Sequence, residues 1–440
     1  MARKPHAASY SRESLAAIEE LFPPAWFSQF STHRNEDWTA QKVFWMSIVM
    51  SWQPQTTLAE QFDAARDVLR RMFPRWLLGR SAGAFCTARQ RLLQEMQGPL
   101  RQRLQLFVAA YFEAWRVRGW LLFAVDGSRF ETPRTTANEC RLGCAGKEST
   151  TPQVFQTTLQ HVGTGLVYDF RLGPGTDSER RHLDELRAAL PPQSLLTADA
   201  GFISFDLCRW LIAEQHHFLL RVGANARLLT GLGWDIEIEG TTVYLWPQRQ
   251  RQIPPVVLRL IVLKTAGKHP VYLVTNVQDE QQLSDNDAAE LYRLRWGIEL
   301  YYRSLKQTLG HKTLRSRTPH KALAEQTWHV IATWLLHLLT VRALIAVGKS
   351  PASWSAAKAR EAVRRLFRRA IAYQRSTANE QLTVRLRQAT RDRYQRRSPK
   401  QIREWPRKKR EQPPAPPKLQ PASDKERQQA QRLKDSLSPK

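Results

Sequence analysis

Two aspartates, Asp126 and Asp199, each follow an apolar run, LLFAV and SLLTA, and each precedes a small residue, Gly127 or Ala200. A carboxylate at the carboxyl end of a buried strand faces the cleft in which an α/β sheet takes its ligand. Asp-Gly is also an ordinary strand ending, and for either aspartate alone the turn reading is favoured. A third acid, Glu299, lies in DNDAAELYRLRWGIELYYRSLKQTLG, which reads as one long helix with Asp285 as its N-cap. With Tyr292 at zero and about 100° per residue, Arg295 falls at about 300°, Lys306 at about 320° and Glu299 at about 340°. Trp296 at about 40° and Arg303 at about 20° extend this polar face, while Leu294, Ile298, Leu305 and Leu309 form the adjoining apolar stripe. The helix thus presents one acid, several bases and a phenol beside a stripe that it buries. A solvated face with an Arg295–Glu299 pair would look the same, and such pairs contribute little.

These side chains need a scaffold. Residues 13 to about 118 read as helices, with LAEQFDAARDVLRRM amphipathic, a turn-like GRSAGAFC, then a long arginine-rich helix. That order suits a DNA-reading helix-turn-helix or a plain helical bundle equally. From Trp120 the period changes: WLLFAVDG, VFQTTLQHV and GLVYDFRLG read as strands, followed by a polar helix DSERRHLDELRAAL, a strand SLLTADAGF, a helix FDLCRWLIAEQ and a strand HFLLRVG. This is a mixed sheet covered by helices. Between about 224 and 268, WDIEIEG, TTVYLWP and VVLRLIVLK alternate as antiparallel strands of a β-rich insertion, after which VYLVTNV resumes the sheet. ALAEQTWHVIATWLLHLLTVRALIAVG is apolar enough to be a buried helix, and from about Arg391 a basic, proline-bearing tail has little to pack and reads as disordered or loosely helical.

Among 440 residues, 67 Lys+Arg stand against 40 Asp+Glu, a formal charge of +27 that points to a polyanionic partner, most commonly nucleic acid. There is no uninterrupted apolar run of about 18 residues, and MARKPHAASYSRES has no apolar core of a secretory signal, so the expectation is a cytoplasmic protein without a membrane partner. Cys86, Cys140, Cys144 and Cys208 read as plain thiols, since Cys140 and Cys144 lack a second ligand pair at zinc-finger spacing. GPGT at 173–176 lacks the lysine of a P-loop, and His161, on a strand, reads as structural.

YRLRWGIELYYRSLK carries the Tyr-x2-Arg-x3-Glu-x6-Lys pattern of the IS4-type insertion-sequence transposases. LLFAVDGSRFETP resembles that family's first acidic motif, LLTADAGF its second, and LRSRTPHKALAEQTWHVIATWLL its helix beyond the signature. The gaps of 73 residues from Asp126 to Asp199 and 100 from Asp199 to Glu299 fit, the longer one holding the β insertion. The resemblance covers about residues 55 to 345 and implies an RNase H-like α/β fold with helices on both faces of the sheet. It implies a domain order of 1–118, helical and DNA-gripping; 119–345, catalytic; and 346–440, basic.

The same resemblance makes Asp126, Asp199 and Glu299 the catalytic, metal-binding triad, and Tyr292, Arg295 and Lys306 contacts to transposon-end phosphates. Trp296 and Arg303, on the same face, join them as expected DNA contacts. It implies two Mg²⁺ ions, with Mn²⁺ able to substitute, double-stranded DNA as end and target, a homodimer in the synaptic complex, and a bacterial, nucleoid-associated location. Hard cations prefer carboxylate oxygens, and a metal pair can both activate a nucleophile and stabilise a leaving oxygen in phosphodiester cleavage. A nuclease that does not join strands and a non-catalytic DNA-binding relative are the alternatives.

Overall fold

Short polar caps start the first helices. Thr39 caps α1 (Ala40–Trp52), Thr57 and Glu60 form a capping box on α2 (Leu58–Met72), and Ser81 caps α3 (Ala82–Ala109). The computed structural model describes residues 16–30, 37–54, 56–145, 151–264, 269–372, 381–391 and 415–437. α3 buries Phe85, Leu92, Met96, Leu100 and Leu104, and its Arg101 pairs with Asp169 on the sheet. The helices pack as a bundle whose apolar core runs without interruption into that of the sheet.

Among the described residues the sheet has ten strands, in the order β10-β6-β7-β8-β9-β5-β4-β1-β2-β3. β1 (Leu121–Glu131) pairs antiparallel with β2 (Gln153–His161), and β2 with β3 (Leu166–Pro174). On its other side β1 is parallel to β4 (Ser194–Ala198), which is parallel to β5 (His217–Val222). This 3-2-1-4-5 order is the RNase H-like arrangement. Side chains alternate across the sheet. From β1, Ala124 and Phe130 enter one core, shared with the first helices, while Phe123 and Val125 enter the opposite one. α4 (Thr136–Leu142) links β1 to β2; α5 (Glu179–Leu186) and α6 (Phe205–Ala213) lie on the Val125 side. α7 (Asp285–Leu294), α8 (Trp296–Arg303) and α9 (Pro319–Ile345) lie on the other.

α9 is long and apolar enough to cross a membrane by composition, yet 89% of that stretch is buried within the fold. Its Glu325 is fully buried, and its carboxylate accepts the N–H groups of Arg315 and Ser316 at 2.9–3.1 Å. α10 (Ala356–Ile371) and α11 (Leu382–Leu386) complete this side.

The expected β-rich insertion is present: β6 (Arg227–Thr230), β7 (Thr242–Leu245) and β8 (Val256–Leu263) precede β9 (Val271–Thr275), which resumes the main sheet, and they extend its edge. Two expectations change. WDIEIEG is not a strand: Asp235 and Glu237 accept the nearby N–H groups of Ile236 and Gly233, each at 2.8 Å, and these local bonds compete with pairing. Nor is the tail unstructured over its described part. β10 (Lys418–Pro421) adds parallel to β6, and α12 (Asp424–Leu437) packs Ala430 and Leu433 beside it. Few apolar residues suffice because an open strand edge supplies backbone partners. The basic run Arg407–Arg410 lies outside the described residues.

Candidate active site

Ala124 stands opposite Thr197 in the parallel pairing of β1 and β4, and two residues further along each strand lie Asp126 and Asp199. The Thr197 hydroxyl donates to the Phe123 carbonyl at 3.0 Å and locks this register. Asp126 does not end a strand, as the Asp-Gly reading favoured, because β1 continues to Glu131. The buried Tyr302 phenol donates to the Asp126 carbonyl at 2.9 Å, with the Thr158 hydroxyl at 3.0 Å, and so fixes the backbone at that point. Asp199 directly follows β4 and accepts the Ala200 N–H at 2.9 Å.

The helix facing them is not continuous. Ser284, not Asp285, is the N-cap, accepting from the Asp287 N–H at 3.1 Å. At Arg295 the chain tightens, with Arg295 N–H bonded to Tyr292 and Ile298 N–H to Arg295; at Ser304–Thr308 it widens into a π turn. One constant angle per residue therefore misplaces the ends of the polar face. π turns of this kind recur at functional sites.

Tyr292, Arg295 and Glu299 converge on the two aspartates. The Tyr292 hydroxyl lies 3.4 Å from Asp199, and Arg295 stacks over the Tyr292 ring at 5.4 Å and donates to Glu299 at 3.0 Å. Burial disfavours the Arg295 charge, but Tyr292, Asp199, Asp126 and Glu299 together hold it above the usual range. Burial pushes the Asp126 carboxyl up to about 6, with Glu299 and Glu179 adding to it against the Gly127 N–H and Arg295. Burial likewise pushes the Tyr292 phenol up to about 12, reinforced by Asp199. Lys306 lies over the Phe130 ring at 4.8 Å; burial lowers its pKa, opposed by Glu131 and, more weakly, Asp126.

Trp296 is 51% exposed and borders a cleft with Arg293, Trp354 and Arg391, while Arg303 is exposed at the other end of the same helix. Neither joins the acid cluster. His161 is buried beside Phe112 and Phe123, bonds Thr164 at 2.9 Å, and is pushed down to about 4 by burial, as befits a structural residue.

Two site residues escaped the sequence reading. Arg221 donates to Asp199 at 3.2 Å; its signal was the single base inside the apolar strand HFLLRV. Glu179 lies in the field of both aspartates, yet in sequence it is an ordinary acid in the first turn of α5. Among the described residues no three acids, histidines or cysteines stand close enough to enclose an ion. Arg221 pairs with Asp199 and Arg295 with Glu299, so two of the three acids of the expected triad are held by arginines in this arrangement.

Residues 121–335 match the family described as the transposase DDE domain. Over 231 residues the chain is 29% identical to the transposase InsG for insertion sequence element IS4 of Escherichia coli (strain K12), an alignment taking in 50% of this chain and 51% of that protein. The chain thus spans about half the length of the curated relative it matches. Among solved structures, a piggyBac transposase synaptic complex with hairpin DNA aligns with 87% of this chain and 86% of its own at 13% identity, with a TM-score of 0.46.

Proposed function

We propose, for a chain whose residues 121–335 match the transposase DDE domain family, that it belongs to that family, cuts DNA at the ends of a mobile element and joins those ends to target DNA. The observation that carries this reading is the gathering of Tyr292, Arg295 and Glu299 around Asp126 and Asp199, with one guanidinium in the field of all three acids.

Asp126, Asp199 and Glu299 are the catalytic residues of this reading and would hold Mg²⁺, or Mn²⁺ in its place. Carboxylate oxygens are the donors such hard cations take. A buried acid pushed up to about 6 is one whose charge its present neighbours do not fully offset. Two bound ions would supply an activated water for cleavage and a stabilised leaving oxygen. The chain's own residues do the rest. The planar Arg295 fork suits a non-bridging phosphate pair, Lys306 offers a point charge, and the Tyr292 phenol, kept neutral by burial, donates a hydrogen bond. The exposed Trp296 and Arg303 extend the DNA path beyond the acids. The 3′-hydroxyl left by the first cut attacks a target phosphodiester, forming one such bond as another breaks. Bringing two ends together calls for a second copy of the chain, so the working species is a homodimer on double-stranded DNA.

The test uses full-length chain, a duplex carrying the element's inverted-repeat end, and a plasmid target with Mg²⁺. The reading expects cleavage at the end boundary followed by joined product. Cleavage without joining reduces the activity to a nuclease, and neither product sinks the proposal. Ca²⁺ should permit binding with little cutting.

A further inference from the structure

A chain of buried polar groups crosses the core from α9 to the backbone of Asp126. The Gln326 amide of α9 donates to Gln156 Oε1 of β2 at 2.7 Å, and the Gln156 amide donates to the Thr158 hydroxyl at 2.8 Å. Thr158 stands opposite Asp126 in the antiparallel pairing of β2 with β1. Its hydroxyl lies 3.0 Å from the Tyr302 phenol, which also reaches the carbonyls of Asp126 at 2.9 Å and Gln156 at 3.1 Å. A carbonyl can only accept, whereas the Thr158 hydroxyl can also donate, so the phenol proton goes to the carbonyls and Thr158 donates back to the phenol. Gln156, Thr158 and Gln326 are fully buried, and so nearly is Tyr302.

Apolar side chains of the same shape would hold α8 and α9 on the sheet about as well, since buried hydrogen bonds add little net stability over such replacements. A connected polar network instead selects one arrangement of the elements that it joins. Here it selects the placing of an acid. Tyr302 follows Glu299 by three residues on α8, so the two are neighbours on the helix surface. Just beyond it the helix widens into the π turn at Ser304–Thr308. The phenol thus pins the turn that bears Glu299 to the backbone that bears Asp126. Tyr301 offers the contrast: it is as buried, yet its phenol meets the Gln156 amide of β2 at 3.4 Å rather than the backbone of β1.

We propose that Tyr302 is a positioning residue of the active site, whose hydroxyl, set by Thr158, Gln156 and Gln326, fixes Glu299 against Asp126; the inference rests on the metal-dependent reading above. The competing role is that of a core residue whose hydroxyl serves stability alone.

Tyr302→Phe removes one oxygen and keeps the ring. Tyr301→Phe, which loses an equally buried hydroxyl, is its control, and Glu299→Gln is the reference for the triad. Mn²⁺ binding to the full chain, followed by the ion's electron paramagnetic resonance signal, and single-turnover cleavage of an end duplex are read well below the Tm of each variant. Tyr302→Phe should weaken Mn²⁺ binding and slow cleavage by roughly tenfold each, the scale seen when groups supporting a metal site are lost. Its gel-shift affinity for end DNA should stay within a few-fold of the wild type. Thr158→Val, which deprives the phenol of its donor, should fall between the two, and Tyr301→Phe should match the wild type in both readouts. Wild-type Mn²⁺ affinity and cleavage in Tyr302→Phe, or equal losses in Tyr301→Phe, would overturn the positioning role. Unchanged Mn²⁺ affinity in Glu299→Gln would overturn the reading of Glu299 as a metal-holding acid, on which that role depends.

Discussion

The two halves of the sheet treat charge in opposite ways. Beyond β5 charge is paired: Arg251, only 8% exposed at its side chain, meets Glu426 at 2.6 Å and stacks on Trp246 at 4.2 Å, while Arg227 reaches the same carboxylate at 3.5 Å. That pairing fastens β10 and α12 to an open strand edge. Around Asp126 within β1 and Asp199 just after β4, by contrast, each aspartate lies in the field of Glu179, and the arginine beside Asp126 does not bring it back to its ordinary range. A balanced pair closes a surface, whereas a surplus of one sign is what a ligand of opposite sign completes.

The sharpest break of this contrast lies at the acids. Asp126→Ala, Asp199→Ala and Glu299→Ala should each lower end cleavage by roughly a thousandfold or more while end binding stays within a few-fold. Single-turnover cleavage and a gel-shift assay read the two effects, and a Glu299→Ala protein that still cuts would remove that residue from the triad. In the far half, Glu426→Ala leaves the Arg251 guanidinium buried without its partner and should cost about 2–4 kcal/mol. A denaturant series checks it, and a change below about 0.5 kcal/mol would mean that the pair does not fasten the C-terminal segment.

Asp126 has a smaller and pH-dependent effect. Its carboxyl takes up a proton near 6 when folded and near about 3.9 when unfolded, so the folded chain binds more protons between those values. Metal-free stability should therefore fall as pH rises from about 4 to about 6 and stay reduced above it. Asp126→Asn should abolish that fall and gain about 1–2 kcal/mol at neutral pH. Melting curves in chelator at several pH values decide, and parallel pH profiles for the two proteins would contradict it. The smallest effect is expected for the DNA contacts: Arg295→Ala and Lys306→Ala should each reduce the salt slope of DNA binding by roughly one. An unchanged slope in both would separate these residues from phosphate.

Much of the near half was legible because its signals are local. An apolar run ending in an acid marks Asp126 and Asp199, and the spacing from Tyr292 to Glu299 survives because it crosses just two turns. The break at Arg295 and the π turn at 304–308 were hidden, since no proline marks them and the deviation arises from packing against β1. Glu179 was hidden for a tertiary reason: it belongs to the site only because α5 folds across Gly127 and Gly201. The C-terminal strand was equally unreadable, because KLQP has no strand pattern of its own and takes one from the edge of β6.

The central claim, that Asp126, Asp199 and Glu299 hold one metal site, is tested most directly by iron-directed backbone cleavage. Fe²⁺ replaces Mg²⁺ in the full chain, peroxide and ascorbate generate hydroxyl radicals at the bound ion, and the fragment ends are mapped. The account predicts cuts clustered near residues 126, 199 and 299, suppressed by excess Mg²⁺ and lost in Asp199→Ala. Cuts confined to other segments, or cuts at these three that persist in Asp199→Ala, would contradict it.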